Sequence, residues 1–91
     1  MSAAGTLRVL VPPALHSYTR RSPVEATGDT LAAMFADLDQ RYPGLRFRVV
    51  NEQGLLRSNM RVFVNGRSVR DLAHPLAPGD QVALVLALSG G

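Results

Sequence analysis

Residues 30–42, TLAAMFADLDQRY, contain the clearest structural pattern in this chain of 91 residues. Five large apolar side chains recur there at the spacing of a single helix face: Leu31, Met34, Phe35, Leu38 and Tyr42. Either Asp29 or Thr30 can cap the first turn, and Pro43-Gly44 ends the segment. The stretch therefore predicts an amphipathic helix of about three turns, whose apolar side must pack against a sheet.

Two strand patterns precede this helix. Residues 6–11 (TLRVLV) are rich in Leu and Val and stop at Pro12-Pro13, which cannot continue a central strand. After a polar connection, residues 22–26 (SPVEA) predict a weaker second strand, and Pro23 favours an edge position for it. We expect the two segments to pair as a hairpin.

The residues after the helix predict an irregular segment followed by three strands. Residues 45–59 lack a regular pattern and contain a turn at 51–54 (NEQG). Residues 60–64 and 67–69 flank Asn65-Gly66, a pair typical of a tight β-hairpin. Beyond a turn at 78–80, residues 81–88 (QVALVLAL) are almost continuously apolar, as in a strand at the centre of a sheet.

The order of these elements predicts an α+β domain, a β-grasp (ubiquitin-like) mixed sheet packed on one main helix. Two hairpins surround the helix, and the buried last strand can lie beside the first. A ferredoxin-like sheet is the competing arrangement, but it requires a second long helix that the sequence does not indicate. We expect one domain over residues 1–88 and a flexible C-terminal Gly-Gly tail over residues 89–91.

Composition excludes several functional classes. The absence of cysteine rules out thiol nucleophiles, thiolate metal sites and disulfides. His16 and His74 are isolated in the sequence, no serine has an evident base, and no glycine-rich phosphate-binding loop is present. We therefore expect no metal site, no bound cofactor and no catalytic residue, so that the chain is not an enzyme by itself.

Charge and hydropathy narrow the range of partners. All ten basic residues are arginines, scattered along a chain of net charge +3. With aromatic residues at 5% and no basic run, a nucleic-acid-binding module has little support. The longest apolar run, residues 82–88, is far shorter than the roughly 20 residues that span a bilayer, and the first residues lack a signal-peptide pattern. We expect a cytoplasmic protein with no nucleic-acid or membrane partner.

The sequence ends in Ser89-Gly90-Gly91, directly after the last predicted strand. Two glycines give a thin backbone that can pass through a narrow channel in which any Cβ atom would clash. Such a tail can carry a terminal carboxylate into the active site of another enzyme, where ATP activates it as an acyl-adenylate. We therefore predict covalent attachment at Gly91, with Ser89 and Gly90 threading the channel.

Four stretches resemble the small sulfur-carrier proteins of the ThiS/MoaD family: residues 28–45, residues 51–70, residues 78–88 and the terminal Gly90-Gly91. The YPGL segment after the helix and the extended NEQGLLR segment are most similar to the cysteine-biosynthesis (CysO-like) type of carrier. Leu88-Ser89 departs from the family pattern, in which many members have Val-Ala or Ile-Ala before the two glycines.

The resemblance implies a sulfur carrier protein. Gly91 would be adenylated by a ubiquitin-activating-enzyme-like (MoeB/ThiF-like) adenylyltransferase, which consumes the ATP, and would then be converted to a thiocarboxylate. The thiocarboxylate would donate its sulfur to an acceptor on a sulfur-accepting synthase, in the biosynthesis of cysteine or of another sulfur-containing metabolite.

Two related functions use the same kind of tail. One is a ubiquitin-like protein modifier conjugated to lysines of target proteins, and the other is the small subunit of a molybdopterin synthase. The chain contains no lysine, which excludes lysine-linked self-polymers. Conjugation to lysines of other proteins stays open, because an activated glycine terminus can acylate any well-placed amine.

Alternation along the predicted strands separates two faces of the sheet. The face with Leu7, Val9 and Val11 is expected to meet the helix. The opposite face is predicted to dock partner enzymes, because an apolar patch rimmed by charge is typical of protein interfaces. The predicted interface residues are Arg8, Leu10, Arg61, Phe63, Val85, Ala87 and Leu88. The alternative is that Leu55 and Leu56 of the irregular segment cover this face.

Overall fold

A computed structural model describes residues 6–87 of the chain. The strands in this part are β1 (Thr6–Leu10), β2 (Val24–Thr27), β3 (Met60–Val64), β4 (Arg67–Val69) and β5 (Gln81–Leu86). The helices are α1 (His16–Thr19), α2 (Leu31–Arg41) and α3 (Leu45–Val49), and a 3-10 turn (Pro13–Leu15) precedes α1. Because residues 1–5 and 88–91 lie outside the described part, the predicted boundary between domain and tail stays a prediction.

The five strands form one mixed sheet in the order β2-β1-β5-β3-β4. The last strand, β5, lies at the centre, parallel to β1 and antiparallel to β3, and Val82 is the register partner of both Val9 and Val64. A strand with neighbours on both sides buries most of its apolar side chains, which explains the near-continuous apolar run in this stretch of the sequence. The predicted α+β class and the position of the last strand beside the first are confirmed.

Helix α2 begins and ends at local signals that the sequence contains. The Thr30 side chain accepts a hydrogen bond of 3.1 Å from the backbone N–H of Ala33 and so caps the first turn. After the last turn, Gly44 adopts a φ of 95°, a conformation that favours glycine. The Asp39 carboxylate accepts hydrogen bonds from the N–H groups of Gly44 and Arg46, so that α3 begins directly after α2.

The core lies between α2 and one face of the sheet. The predicted stripe of α2 is completely buried at four positions: Leu31, Met34, Phe35 and Leu38. The sheet contributes side chains that alternate toward the helix: Leu7, Val9, Met60, Val62, Val82 and Leu84. Burying one such side chain contributes about 1.5–3 kcal/mol relative to leaving it exposed. The contact between α2 and the sheet is therefore the main stabilising feature of the fold.

Residues 45–59, predicted to be irregular, contain helix α3. Leu45 and Val49 lie one helical turn apart, and both are completely buried in the core. A helix of five residues is too short for its periodicity to stand out in the sequence, so the prediction was wrong at this point. The predicted turn at 51–54 is confirmed, since Asn51 Oδ1 accepts hydrogen bonds from the N–H groups of Gln53 and Leu55.

The connection between β1 and β2 also contains elements that the sequence analysis described only as a polar connection. The 3-10 turn and α1 occupy residues 13–19 and bury Leu15 and Thr19. Arg20 follows α1 with a φ of 63° and so ends that helix in the left-handed region. Ala14 and Leu15 lie near Phe47 and Arg48, so the 3-10 turn is placed beside α3.

The strand boundaries differ from the predicted ones by one or two residues. The structure ends β1 at Leu10 rather than residue 11, places β2 at Val24–Thr27 rather than 22–26, and ends β5 at Leu86 rather than residue 88. The cause at β1 is local, because the Val11 N–H donates to Ser22 Oγ at 2.8 Å. Among the described residues, none of the helices combines the length and the apolar character that crossing a membrane requires.

A hydrogen-bond cluster fastens the β3–β4 turn to the turn before β5. The Asn65 side-chain amide donates to Asp80 Oδ1 at 3.0 Å, and the Gln81 N–H donates to Asn65 Oδ1 at 3.0 Å. Asp80 Oδ2 accepts a hydrogen bond of 2.8 Å from the Ala77 N–H. This backbone hydrogen bond, followed by the one from Asn65, lowers the pKa of the Asp80 carboxyl below its ordinary value.

We expect Asp80→Asn to reduce the free energy of unfolding at neutral pH by about 1 kcal/mol, because an amide cannot accept both hydrogen bonds. The Asp80 pKa is lower in the folded chain than in the unfolded chain, so the ionised carboxylate stabilises the fold. This contribution to the free energy of unfolding is complete above the ordinary pKa of 3.8 and is lost as the pH falls through the folded-state pKa. Urea unfolding from about pH 2 to about pH 6 measures both effects. Between about pH 6 and about pH 2, Asp80→Asn should lose less stability than the wild type. The control variant Asp29→Asn keeps Asp80 and should therefore lose as much stability as the wild type. Equal acid dependence of the wild type and the Asp80 variant would contradict this account.

Candidate functional site

The sheet face opposite α2 carries a patch that we call the open face, formed by Arg8, Leu10, Arg61, Phe63, Ala83 and Val85. The strand register sets these side chains in rows. Leu10 and Phe63 are the register partners of Ala83 on its two sides. Arg61 is the partner of Val85 in the next row, and Arg8 is the partner of Gln81 in the row before. The structure therefore brings together residues from β1, β3 and β5 that the sequence analysis grouped by alternation.

The centre of the open face is apolar and accessible. Val85 is 42% exposed, and Leu10, Phe63 and Ala83 are half-buried. The small Ala83 lies between two larger side chains, so the apolar surface is shallow and extends across three strands. An apolar surface of this kind with arginines at its margin is typical of a protein-binding site.

The loop before β3 (residues 50–59) does not cover the open face. Leu56 is buried in the core, where its backbone bridges to Val50. Leu55 is 60% exposed and lies beside Phe47 on a different part of the surface. The alternative that these two leucines cover the face is therefore wrong.

The two arginines of the open face differ in their surroundings. The Arg61 guanidinium donates from Nη1 to the carbonyl oxygens of Ser58 at 2.8 Å and Met60 at 3.1 Å. It is therefore directed toward the loop before β3 and held there. Arg8 is exposed and is the register partner of Glu25 on β2, so one margin of the face carries both signs of charge.

Ala87 marks the place where the described chain leaves the sheet. Its N–H donates to the Asn59 carbonyl oxygen at 2.7 Å, directly beyond the register pair of Met60 and Leu86. The base of the C-terminal segment is thus fixed at the end of the sheet where Val85 and Arg61 lie. Leu88 and the predicted tail residues Ser89, Gly90 and Gly91 lie outside the described residues, and their roles stay predictions.

The histidines of the described part lie far from one another in the chain, at positions 16 and 74. Between residues 6 and 87, no group of three or more His, Asp or Glu side chains is arranged to hold a metal ion. The His16 ring contacts the Val11 carbonyl oxygen through Nε2 at 3.0 Å, and the His74 backbone N–H donates to the Asp71 carbonyl oxygen. Neither imidazole belongs to the open face.

A further exposed apolar area was missed in the sequence analysis. Phe47 on α3 is 55% exposed and lies beside Leu55. The available signal was an aromatic residue between two arginines (RFR, residues 46–48). That signal lay in a segment predicted to be irregular, where the direction of a side chain cannot be inferred from alternation.

Comparison with known proteins assigns the chain to a family. The model of the ThiS family matches residues 9–91. The chain belongs to the ThiS family. The sulfur carrier protein CysO of Mycobacterium tuberculosis is 35% identical to it over 89 residues, which cover 91% of this chain and 96% of that protein. The resemblance to the ThiS/MoaD sulfur carriers, and within them to the CysO-like type, is confirmed.

Solved structures of relatives share the fold of this ThiS-family chain. The crystal structure of Mycobacterium tuberculosis CysO is 33% identical with a TM-score of 0.85, and the match covers 90% of this chain and 99% of that one. CysO in the Amycolatopsis orientalis BexX/CysO complex matches at 30% identity and a TM-score of 0.86, over 93% of this chain and 99% of the other. SAMP1 from Haloferax volcanii matches at 27% identity and a TM-score of 0.80, over 96% and 100%. The ubiquitin-like β-grasp fold is thus confirmed.

Proposed function

We propose that this ThiS-family chain is a sulfur carrier whose Gly91 is adenylated and converted to a thiocarboxylate, which donates sulfur to a biosynthetic acceptor on a partner enzyme. The observation that supports this is the family match, which extends through residue 91 and so includes Gly90-Gly91. The similarity to proteins named sulfur carrier, over nearly their whole length, supports the same assignment.

The proposed chemistry takes place at the terminal carboxylate. A Gly91 carboxylate oxygen attacks the α-phosphorus of ATP, and pyrophosphate leaves. Hydrogen sulfide then attacks the acyl carbon of the adenylate, AMP leaves, and loss of a proton gives the thiocarboxylate. The sulfur next attacks an electrophilic carbon of the acceptor and displaces the leaving group on that carbon, which gives a thioester. Hydrolysis of the acyl–sulfur bond then regenerates the Gly91 carboxylate and leaves a thiol on the acceptor.

In this proposal the chain presents the reacting group and partner enzymes supply the catalytic groups. The sheet holds β5 between β1 and β3, and the hydrogen bond from Ala87 to Asn59 fixes the point from which the tail extends. An adenylyltransferase of the MoeB/ThiF-like type would consume the ATP, in the cytoplasm, and a sulfur-accepting synthase would bind the acceptor. The family resemblance favours cysteine or another sulfur-containing metabolite as the product.

We further propose that the open face docks these partner enzymes. The CysO of Amycolatopsis orientalis is known in a complex with BexX, which shows that a relative of this chain binds a partner protein. On this chain the open face lies at the base of the tail, and its apolar centre is accessible. An enzyme that takes up Gly91 would therefore meet Val85 and Ala87 first.

Replacement of Phe63 by Asp should weaken binding to the adenylyltransferase about 10- to 30-fold, because a charge replaces an apolar anchor at the centre of the interface. Calorimetric titration of the enzyme with each carrier variant measures the effect. Gln40→Asp adds the same charge on the exposed side of α2 and should bind like the wild type. Val85→Asp, at a 42% exposed position, provides a second variant in case Phe63→Asp does not fold. Unchanged affinity of folded variants at both positions would contradict this role for the open face.

A protein-modifier function is the second candidate. The observation that favours it is the 27% identical match to SAMP1 of Haloferax volcanii, whose name stands for small archaeal modifier protein 1. In that case the activated Gly91 would acylate lysines of target proteins. Covalent adducts of higher mass that persist under denaturing and reducing conditions would support it.

The first test of the proposed function is an exchange reaction. An adenylyltransferase that activates the chain must catalyse exchange of pyrophosphate with ATP in the presence of the full-length chain. Without any carrier-dependent exchange, adenylation of Gly91 is excluded for that enzyme. Exchange followed by sulfur incorporation favours the carrier function over the modifier function.

A further inference from the structure

A groove of about 770 Å³ lies between α3 and the loop before β3, on the α2 side of the sheet. Phe47 and Leu55 line it, and they are 55% and 60% exposed. Within residues 6–87, the remaining large hydrophobic residue with comparable exposure is Val85, on the open face. We call this second apolar area, lined also by Arg48, Arg57, Arg70 and Leu86, the loop groove.

Two of its arginines are held in place by backbone carbonyl groups. Arg57 donates from Nε to the Phe47 carbonyl oxygen at 2.7 Å, and its guanidinium lies 4.6 Å from the centre of the Phe47 ring. Arg70 donates from Nη1 to Met60 at 3.0 Å and from Nη2 to Leu56 at 3.1 Å. Because these hydrogen bonds already restrict both side chains, ligand binding costs little additional side-chain conformational entropy.

The positive charge of the loop groove is not neutralised by acidic side chains. None of the residues that line it is Asp or Glu. Among the described residues, the ion pair within 4.0 Å joins Arg41 to Asp37 on α2, away from this groove. Each guanidinium has five N–H donors, so Arg57 and Arg70 keep donors free beyond those bonded to carbonyl groups. The loop groove therefore favours a ligand that offers carboxylates beside an apolar group.

The loop groove begins where the tail begins. Leu86 and Asn59 both line it, and the Asn59 carbonyl oxygen accepts the hydrogen bond from the N–H of Ala87. The open face lies on the opposite side of the same sheet end, at Val85 and Arg61. The two surfaces thus flank the end of β5, and an enzyme that encloses the tail is placed to contact both.

We propose that the loop groove docks an acidic segment of the adenylyltransferase, with an apolar side chain inserted between Phe47 and Leu55 and carboxylates facing Arg48 and Arg57. This inference rests on the proposed function. In the proposed reaction sequence the adenylyltransferase is the first enzyme that must enclose the tail, and the loop groove begins at the base of that tail. A second copy of this chain is disfavoured as the occupant, because the chain has a net charge of +3 and would bring arginines against a groove already rich in them.

The experiment compares two charge reversals on the same short helix. Arg48→Glu changes a residue that lines the loop groove, whereas Arg46→Glu makes the same change at an exposed residue that does not line it. Pyrophosphate exchange is measured as a function of carrier concentration, with an adenylyltransferase that activates the wild-type chain. Arg48→Glu should raise the KM for the carrier about tenfold with kcat unchanged, because the loop groove affects docking rather than chemistry. Arg46→Glu should stay within about twofold of the wild type.

The apolar part of the loop groove is tested by Phe47→Ser, which should raise the same KM while lowering the free energy of unfolding by less than about 1 kcal/mol, since Phe47 is 55% exposed. Equal KM values for Arg48→Glu and Arg46→Glu would overturn the proposal. So would an effect of Arg48→Glu confined to the later sulfur-transfer step, which would assign the loop groove to the accepting enzyme. Loss of binding to a mixed-sequence RNA oligonucleotide in Arg48→Glu, with adenylation unaffected, would also overturn it. If the wild type itself supports no exchange, the proposed function fails, an outcome distinct from these.

Discussion

Deletion of Gly90 and Gly91 is expected to abolish adenylation of the chain and leave its folding unchanged. The deletion shortens the reach of the terminal carboxylate by about 7 Å, since an extended residue spans roughly 3.3–3.6 Å. It also makes Ser89 the terminal residue, so a Cβ atom lies next to the carboxylate, where the wild type has two glycines. Carrier-dependent pyrophosphate exchange should fall to the level measured without carrier.

Two controls for this deletion distinguish an effect of tail length from an effect of tail width and from a loss of folding. Gly91→Ala keeps the length and adds one methyl group, so a smaller loss of exchange than in the deletion would assign most of the effect to reach. None of the core residues of the described part is removed, so the urea midpoint should equal that of the wild type. Unchanged exchange in the deletion variant would contradict the role of Gly91.

Replacement of Phe35 by Ala is expected to reduce the free energy of unfolding by about 3–5 kcal/mol. Phe35 is completely buried on α2 and faces the sheet, so the substitution removes apolar contacts and leaves a cavity in the centre of the core. Domains of this size have a total stability of about 5–15 kcal/mol, so the variant should be close to unfolding at physiological temperature. Urea denaturation followed by circular dichroism measures the loss.

Phe47→Ala is the matched control for this prediction. It removes the same side chain from a position on α3 that is 55% exposed, and we expect a change below about 1 kcal/mol. The contrast tests whether stability resides in the contact between α2 and the sheet. A loss at Phe35 no larger than the loss at Phe47 would contradict the described core.

Much of the fold could be predicted because several segments contain their own signals. The apolar spacing and the flanking Thr30 and Pro43-Gly44 placed α2 within about one residue at each end. Asn65-Gly66 predicted the hairpin between β3 and β4, and both residues have the positive φ that this turn requires. The apolar run at 81–88 predicted the central position of β5, because only a strand with two neighbours tolerates so few polar residues.

The parts that could not be predicted depend on contacts between distant residues. Helix α3 is too short to show a period, and it is stabilised by burial of Leu45 and Val49 against the core. The exposure of Phe47 follows from the placement of α3, so the loop groove could not be predicted from the sequence. Alternation did place the open face correctly, but not the direction of Arg61, which depends on the carbonyl groups of the loop before β3.

Under the proposed function, Gly91 is converted to a thiocarboxylate. The direct measurement is the intact mass of the chain, purified after co-expression with its adenylyltransferase in a sulfide-generating host, before and after treatment with a thiol-alkylating reagent. Replacing oxygen by sulfur adds nearly the same mass as oxidising one of the three methionines, so the mass shift alone is ambiguous. The chain has no cysteine, so alkylation is specific for the thiocarboxylate. The sulfur-carrier function predicts one alkyl group, mapped to Gly91. Absence of the adduct from a chain that is demonstrably adenylated would rule that function out.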